Sequence, residues 1–170
     1  VHRGELVGVL NVNAANEREA LAALDAQRGR VLPLAGGMDL VGLMKNYIAQ
    51  PERVVNVKSL DKTITVSGTG ARIGAAATLV ELIEHAALAK AYPAFTSAAE
   101  EVGTPQIRNA GTLGGNIMQR PRCWYFRNEE FHCLKKGGSR CFAVDGENQF
   151  HAIFGHGPCH IVHPSSLAVA

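Results

Sequence analysis

The sequence has little charge of one sign. Its formal net charge is +2, and no run of Lys and Arg exceeds two residues. The basic stripe that nucleic-acid binding generally needs is therefore missing, and no nucleic-acid partner is expected. No uninterrupted apolar stretch approaches the roughly 18 residues of a membrane span, so direct membrane insertion is not expected either. The opening VHRGELVGVLNV lacks a basic region followed by a long apolar core, and nothing in it reads as an export signal. Internal repeats and low-complexity tracts are lacking. Neither the dinucleotide fingerprint GxGxxG nor the P-loop spacing occurs, and cysteine is confined to the last third. What remains is the composition of an ordinary globular chain. Its 170 residues, 46% hydrophobic and 19% charged, suffice for one or two modest cores in a compact, at most bilobed unit. The first residue is Val rather than Met, and Ala170 falls inside the apolar pattern LAVA, so the chain is expected to be a fragment.

Organisation follows from punctuation. After a turn signal at Asn13–Asn16, Ala20, Leu21 and Leu24 form one stripe, predicting a helix near 16–27 with Asn16 as its N-cap. VLPLAGG reads as a short buried strand entering a glycine turn, and DLVGLMKNYI as the helix that follows. Beyond Pro51 the runs RVVNV, TITVSG and ARIGAA predict a small sheet. Thr78 is positioned to cap a helix through LVELIEHAAL, and a further helix from about Tyr92 to Val102 carries Phe95, Ala98 and Ala99 on one face. From Gly103 to Pro164 periodicity fades, but Trp124, Tyr125, Phe126 and Phe131 argue against disorder. This stretch is expected to be organised by a ligand.

Two glycine-rich stretches draw attention. Leu34-Ala35-Gly36-Gly37-Met38-Asp39-Leu40 sets two glycines between strand and helix, where free backbone N–H groups can face an anion; a plain tight turn is the alternative. Gln106-Ile-Arg-Asn-Ala-Gly-Thr-Leu-Gly-Gly-Asn116 again joins glycines to hydroxyl and amide groups, with Arg108 nearby to offset negative charge. Two such loops could close on the halves of one extended nucleotide-type ligand, or the second could be a polar surface turn.

The order AGGMDL, LMK, PxxVVNV, RIGAAATxxE and QIRNxGTLGGN resembles the FAD-binding domain shared by the flavin subunits of molybdenum hydroxylases, the xanthine dehydrogenase group. That resemblance implies an α+β, two-lobed FAD-binding fold of the molybdopterin dehydrogenase type, with FAD extended between the lobes and the family's further C-terminal domain missing. It implies one lobe at 1–60 and a second at 61–170. The backbone from Leu34 to Leu40 would hold the FAD pyrophosphate, with Thr112, Gly115 and Asn116 contributing from the facing loop. Met38 stands where the family often has Thr, which removes a hydroxyl contact but leaves the backbone. In His163-Pro-Ser-Ser-Leu-Ala168, Ser166 occupies a place usually held by an Asp that contacts FAD. A hydroxyl there can hydrogen-bond but supplies no charge.

All four cysteines, Cys123, Cys133, Cys141 and Cys159, follow the spacing C-x9-C-x7-C-x17-C. Four thiolates suit a 4Fe-4S cluster or a tetrahedral zinc ion, and two disulfides would also use four. The spacing matches neither a zinc ribbon nor a ferredoxin run and leaves all three open. The run RCWYFR, then Cys133, CysPheAla from Cys141, HisAlaIle from His151, and Cys159 resembles an insertion, here at about 119–162, in flavin subunits of the aldehyde oxidoreductase type. There the four cysteines bind an extra 4Fe-4S cluster near the flavin. His151, His156, His160 and His163 are expected to be ordinary hydrogen-bonding residues.

The resemblance implies an oxidoreductase subunit that relays electrons, with partners carrying the molybdenum cofactor and a 2Fe-2S centre. Electrons would pass from iron-sulfur centres to FAD and an external acceptor, in the cytoplasm, or in the periplasm if a partner carries the export signal. No residue of this chain need act as a general base or nucleophile, and Glu100, Glu101, Glu129 and Glu130 read as solvated charges. The contrasting readings are a zinc- or disulfide-stabilised protein-interaction module without flavin, and a stand-alone flavoenzyme related to cell-wall sugar reductases and berberine-type oxidases.

Overall fold

The computed structural model describes residues 9–24, 29–155 and 157–170. Its first sheet has three parallel strands: β1 (Leu10–Asn13), β2 (Val31–Leu34) and β3 (Arg53–Asn56), with β3 in the centre. Arg53 pairs with Leu10 on one side and Val31 on the other. Parallel neighbours need a crossover between them. Helix α1 (Glu17–Ala23) lies in the connection from β1 to β2, two strands on opposite sides of β3, and α2 (Leu40–Lys45) in the crossover from β2 to its neighbour β3. Val55, fully buried, meets Ala14 and Ala20 in a small core completed by Val31, Val57 and Leu60. Asn16 caps α1 as expected, its side chain accepting from the Glu19 N–H at 2.9 Å. The helix ends at Ala23, earlier than the predicted 27, and residues 25–28 lie outside the described residues.

The grouping of RVVNV with the next two runs needs correction. Central β3 belongs to the parallel sheet, where Val54 and Val55 are covered on both sides, whereas β4 (Ile64–Ser67) and β5 (Gly70–Ile73) form a separate antiparallel hairpin. Ile64, Val66 and Ile73 turn from that hairpin onto a second core built by Ala77, Leu79, Leu82, Leu88, Ala99, Leu113 and Leu167. Burying each leucine contributes about 1.5–3 kcal/mol relative to leaving it exposed.

Helices surround this core. Thr78 starts α3 (Leu79–Glu84) with a reciprocal capping box: its hydroxyl accepts from the Glu81 N–H, and the Glu81 carboxylate accepts from the Thr78 N–H at 2.7 Å. The predicted single helix is broken at His85, whose Nδ1 accepts from the Leu88 N–H and so caps a new helix, α4 (Ala86–Ala91). Helix α5 (Pro93–Glu100) follows, with proline at its first position, where the missing N–H has no intrahelical partner to lose. The second glycine-rich stretch, expected as a loop, is mostly two short helices, α6 (Pro105–Ala110) and α7 (Leu113–Ile117), capped by Thr104 and Thr112. Between them Thr112 bridges to Thr78, and the Leu79 and Leu113 N–H groups bond to Gly111 O and Ala77 O at 2.9 and 2.8 Å. Beyond Met118 the chain is largely irregular, with α8 (Trp124–Arg127) and one 3-10 turn at Leu134–Lys136. No helix among the described residues is long and apolar enough to cross a membrane.

Candidate cofactor cleft and cysteine pocket

The turn after β2 lies at the carboxyl end of a parallel strand, where ligands of open α/β sheets generally bind. Gly36 lets this turn approach the end of α6, since a Cβ there would stand 1.8 Å from the Ala110 carbonyl oxygen. Gly37 adopts φ 76°, a left-handed conformation that glycine takes without steric cost. The two glycine-rich stretches consequently meet at Gly36 and together line a cleft of about 1880 Å³, above the usual 300–1,000 Å³ of small-molecule pockets and roomy enough for an extended ligand. Leu34, Ala35, Gly36, Gly37, Met38, Asp39 and Leu40 all line it, as do Thr112, Gly115, Asn116 and Ser166. Every residue expected to contact FAD is thus gathered in one cavity.

Their side chains have different duties. The Thr112 hydroxyl accepts from the Gly115 N–H at 3.1 Å as the cap of α7. The Asn116 side-chain oxygen accepts from the Ser165 hydroxyl at 2.5 Å. Ser165 is fully buried, and its Oγ also accepts from the Ala168 N–H at 3.2 Å. Its neighbour Ser166 is exposed to the cleft. Sequence reasoning picked Ser166 and missed Ser165, because the bond that defines Ser165 crosses 49 positions.

It also missed the basic wall. Arg120 and Arg122 line the cleft beside Asp39, with His132, Lys135 and Lys136 from the cysteine-rich segment. Burial draws the Arg122 guanidinium below its ordinary value, while Asp39 opposes that and Arg127 adds to it. Glycine-rich stretches lining a large cleft with arginines at its side suit a dinucleotide whose diphosphate seeks backbone N–H groups and positive charge. Tyr47, which lines the same cleft, is the one described non-glycine residue with positive φ, 57°.

Cys123, Cys133, Cys141 and Cys159 line a second, small apolar pocket, together with Tyr125, Phe126, Phe142 and His151. None of the four is in a disulfide. Among the described residues no three Cys, His, Asp or Glu side chains are grouped so as to hold a single metal ion. Burial pushes the Cys159 thiol up; the Ile161 N–H opposes this, as does Lys135, while Cys141 and Cys123 push it further. His151 Nε2 lies 3.1 Å from Cys123 Sγ, and its buried Nδ1 has no partner. His160 and His163 do not line this pocket, and His156 lies outside the described residues. Phe126 and Lys135 line both cavities, so at these points the cleft and the cysteine pocket share a wall.

This architecture is that of a flavin-binding module. Residues 9–169 match the family described as the FAD binding domain in molybdopterin dehydrogenase, and the chain belongs to that family. It is 37% identical over 159 residues to the aldehyde oxidoreductase FAD-binding subunit PaoB of Escherichia coli K12, covering 89% of this chain and 49% of that one. It is 35% identical over 100 residues to the carbon monoxide dehydrogenase medium chain of Afipia carboxidovorans, covering 58% and 35% of the two chains. The reconstituted CO dehydrogenase from Oligotropha carboxidovorans superposes with a TM-score of 0.61 at 32% identity, covering 65% of this chain and 39% of that one. The chain spans about half the length of PaoB and less of the other relatives.

Proposed function

We propose that this chain is the flavin-binding part of an electron-relay subunit in a molybdenum-dependent oxidoreductase of the aldehyde type. On this reading FAD lies in the cleft, and a 4Fe-4S cluster is held by Cys123, Cys133, Cys141 and Cys159. The observation that carries it is the wall shared between the two cavities through Phe126 and Lys135, since a relay needs its two centres adjacent. The likeness to PaoB supports the finer assignment: coverage of 89% of this chain is too extensive to leave the cysteine-rich segment out. The donor set also fits. Four cysteines line one apolar pocket, and four thiolates are the number a 4Fe-4S cluster takes, one for each iron. The family match and the likeness to PaoB do not favour a zinc- or disulfide-stabilised module without flavin.

The cofactors supply the redox chemistry, accepting electrons singly or in pairs, and the protein supplies binding, orientation and electrostatics. Backbone N–H groups around Gly36 and Gly37 would receive the diphosphate, and Arg120 and Arg122 would balance its charge. The Ser166 hydroxyl is available to donate a hydrogen bond. Buried Phe126 would form the apolar part of the wall between the centres, and exposed Lys135 its charged part. On the same reading, residues 1–60 and 61–170 would form the two lobes, with the insertion at about 119–162. Substrate oxidation would occur on a partner subunit carrying the molybdenum cofactor, with a 2Fe-2S subunit feeding electrons in. A reducing cytoplasm suits the four unpaired thiols.

The test is an absorption spectrum of anaerobically purified protein with iron and acid-labile sulfide analysis. Flavin bands and about four irons per chain are expected. Flavin without iron would overturn the cluster, and a colourless protein that ignores added FAD would overturn the flavin assignment.

A further inference from the structure

Asp39 sits within the glycine turn of the FAD cleft, yet its carboxylate is spent elsewhere. One oxygen accepts from the Arg120 backbone N–H at 2.7 Å, and the other accepts from Arg127 Nη2 at 2.6 Å and stands 3.5 Å from Arg122 Nη2. All three partners belong to the stretch that leads into the cysteine pocket. The side chains of Asp39 and Arg127 are only 17% and 20% exposed, so their pair is better shielded than a surface ion pair.

Arg127 extends the connection. Its Nε donates to Pro121 O at 2.7 Å and its Nη2 to Arg120 O at 3.0 Å, fixing the turn before Cys123. Arg127 closes α8, and its backbone N–H bonds to Cys123 O at 2.9 Å. A second tie runs alongside. Leu43 of α2, the helix that begins next to Asp39, packs with buried Phe126 and Cys133 in one core that Cys123 also borders. The flavin turn and two of the four cysteines are thereby one packed unit.

We propose that Asp39 is a positioning residue that couples the two sites: occupancy of the cysteine pocket orders 120–127, and Asp39 transmits that order to the glycine turn. The inference rests on the proposed FAD and iron-sulfur assignments. By linkage the coupling must be reciprocal, so FAD must strengthen cluster retention by the factor by which the cluster strengthens FAD binding.

The experiment is a fluorescence titration of FAD into iron-depleted and anaerobically reconstituted protein, for wild type, Asp39→Asn, Arg127→Gln and the double variant. Wild type should bind FAD about tenfold more tightly when the cluster is present, within the usual range of coupling between sites. In each single variant that ratio should fall towards one, and the double variant should lose no more than either single variant. A residue serving stability alone would shift both affinities together and keep the ratio, which would overturn the proposal, as would equal affinities in wild type. If Asp39→Asn does not fold, Arg127→Gln carries the same comparison. A wild type that takes up no FAD or no iron would instead overturn the functional assignment beneath it.

Discussion

The Ser165 hydroxyl donates to the side-chain oxygen of Asn116 at 2.5 Å, tying the C-terminal segment to the second glycine-rich stretch. Ser165 is fully buried, and Leu167 two positions on enters the hydrophobic core. Replacing Ser165 with Ala removes this bond and the one its Oγ accepts from Ala168. A part-buried amide oxygen then loses its partner, a loss of about 1–3 kcal/mol. Urea unfolding should show that decrease for Ser165→Ala, whereas exposed Ser166→Ala should stay within about 0.5 kcal/mol of wild type. Equal effects would remove the special role of Ser165.

Gly36 and Gly42 make opposite predictions from the same substitution. An alanine Cβ at Gly36 would collide with backbone at Ala110, which has no flexible end to move aside. Gly36→Ala should cost about 3 kcal/mol or more, and it should weaken FAD binding because the two packed stretches that line the cleft are forced apart. Within α2, a Cβ at Gly42 meets nothing within 4 Å. Gly42→Ala should therefore stabilise by about 0.5–1 kcal/mol, the usual gain from removing a helical glycine. Thermal melts of the two variants check both signs.

These contrasts show what the sequence could carry. The Thr78 cap was legible because Glu81 lies three positions on, within one turn of helix. The glycine turn after β2 was legible for the same local reason. The break at His85 was not, because the imidazole cap that restarts the helix interrupts an apolar pattern without changing it. Nor was the partnership of β3, since pairing with Leu10 and Val31 depends on chain folded far away. β1 was not predicted at all. The second glycine-rich stretch read as a loop because three glycines lower helix propensity, yet Thr104 and Thr112 caps and packing against α3 override it. The roles of Asp39 and Ser165 rest on bonds spanning 81, 88 and 49 positions, beyond any local pattern.

The capping box predicts a specific pH dependence. The Thr78 backbone N–H is the main influence holding the Glu81 carboxyl below its ordinary value of 4.5; burial opposes it, while the Thr78 hydroxyl and Lys62 add smaller contributions in the same downward direction. A carboxyl depressed in the folded state contributes stability that is fully present above the unfolded value and is lost as pH falls through the folded one. Wild type should thus exceed Glu81→Gln in urea midpoint at pH 7, and the gap should shrink as pH falls below about 4.5. Thr78→Ala should cost about 0.5–2 kcal/mol at pH 7. A gap that persists unchanged at acid pH would mean that Glu81 charge has no part in the cap.

Trp124 provides an internal reporter for the cysteine pocket. It is the only tryptophan in the sequence and directly follows Cys123. Its indole N–H donates to Glu147 O at 3.2 Å, and its ring lies edge-on to Phe150 and His151 at 5.6 Å. His151 in turn touches Cys123 Sγ, so the indole is one residue from the pocket along two routes. An iron-sulfur cluster absorbs broadly across the near ultraviolet and visible, where tryptophan emits, and would accept its excitation energy at this range. Trp124 emission should fall in step with iron uptake during anaerobic reconstitution, and should fall far less in Cys141→Ser protein, which retains three thiol ligands. Full iron content with undiminished emission would rule out a cluster in this pocket and with it the adjacency on which the proposed relay depends.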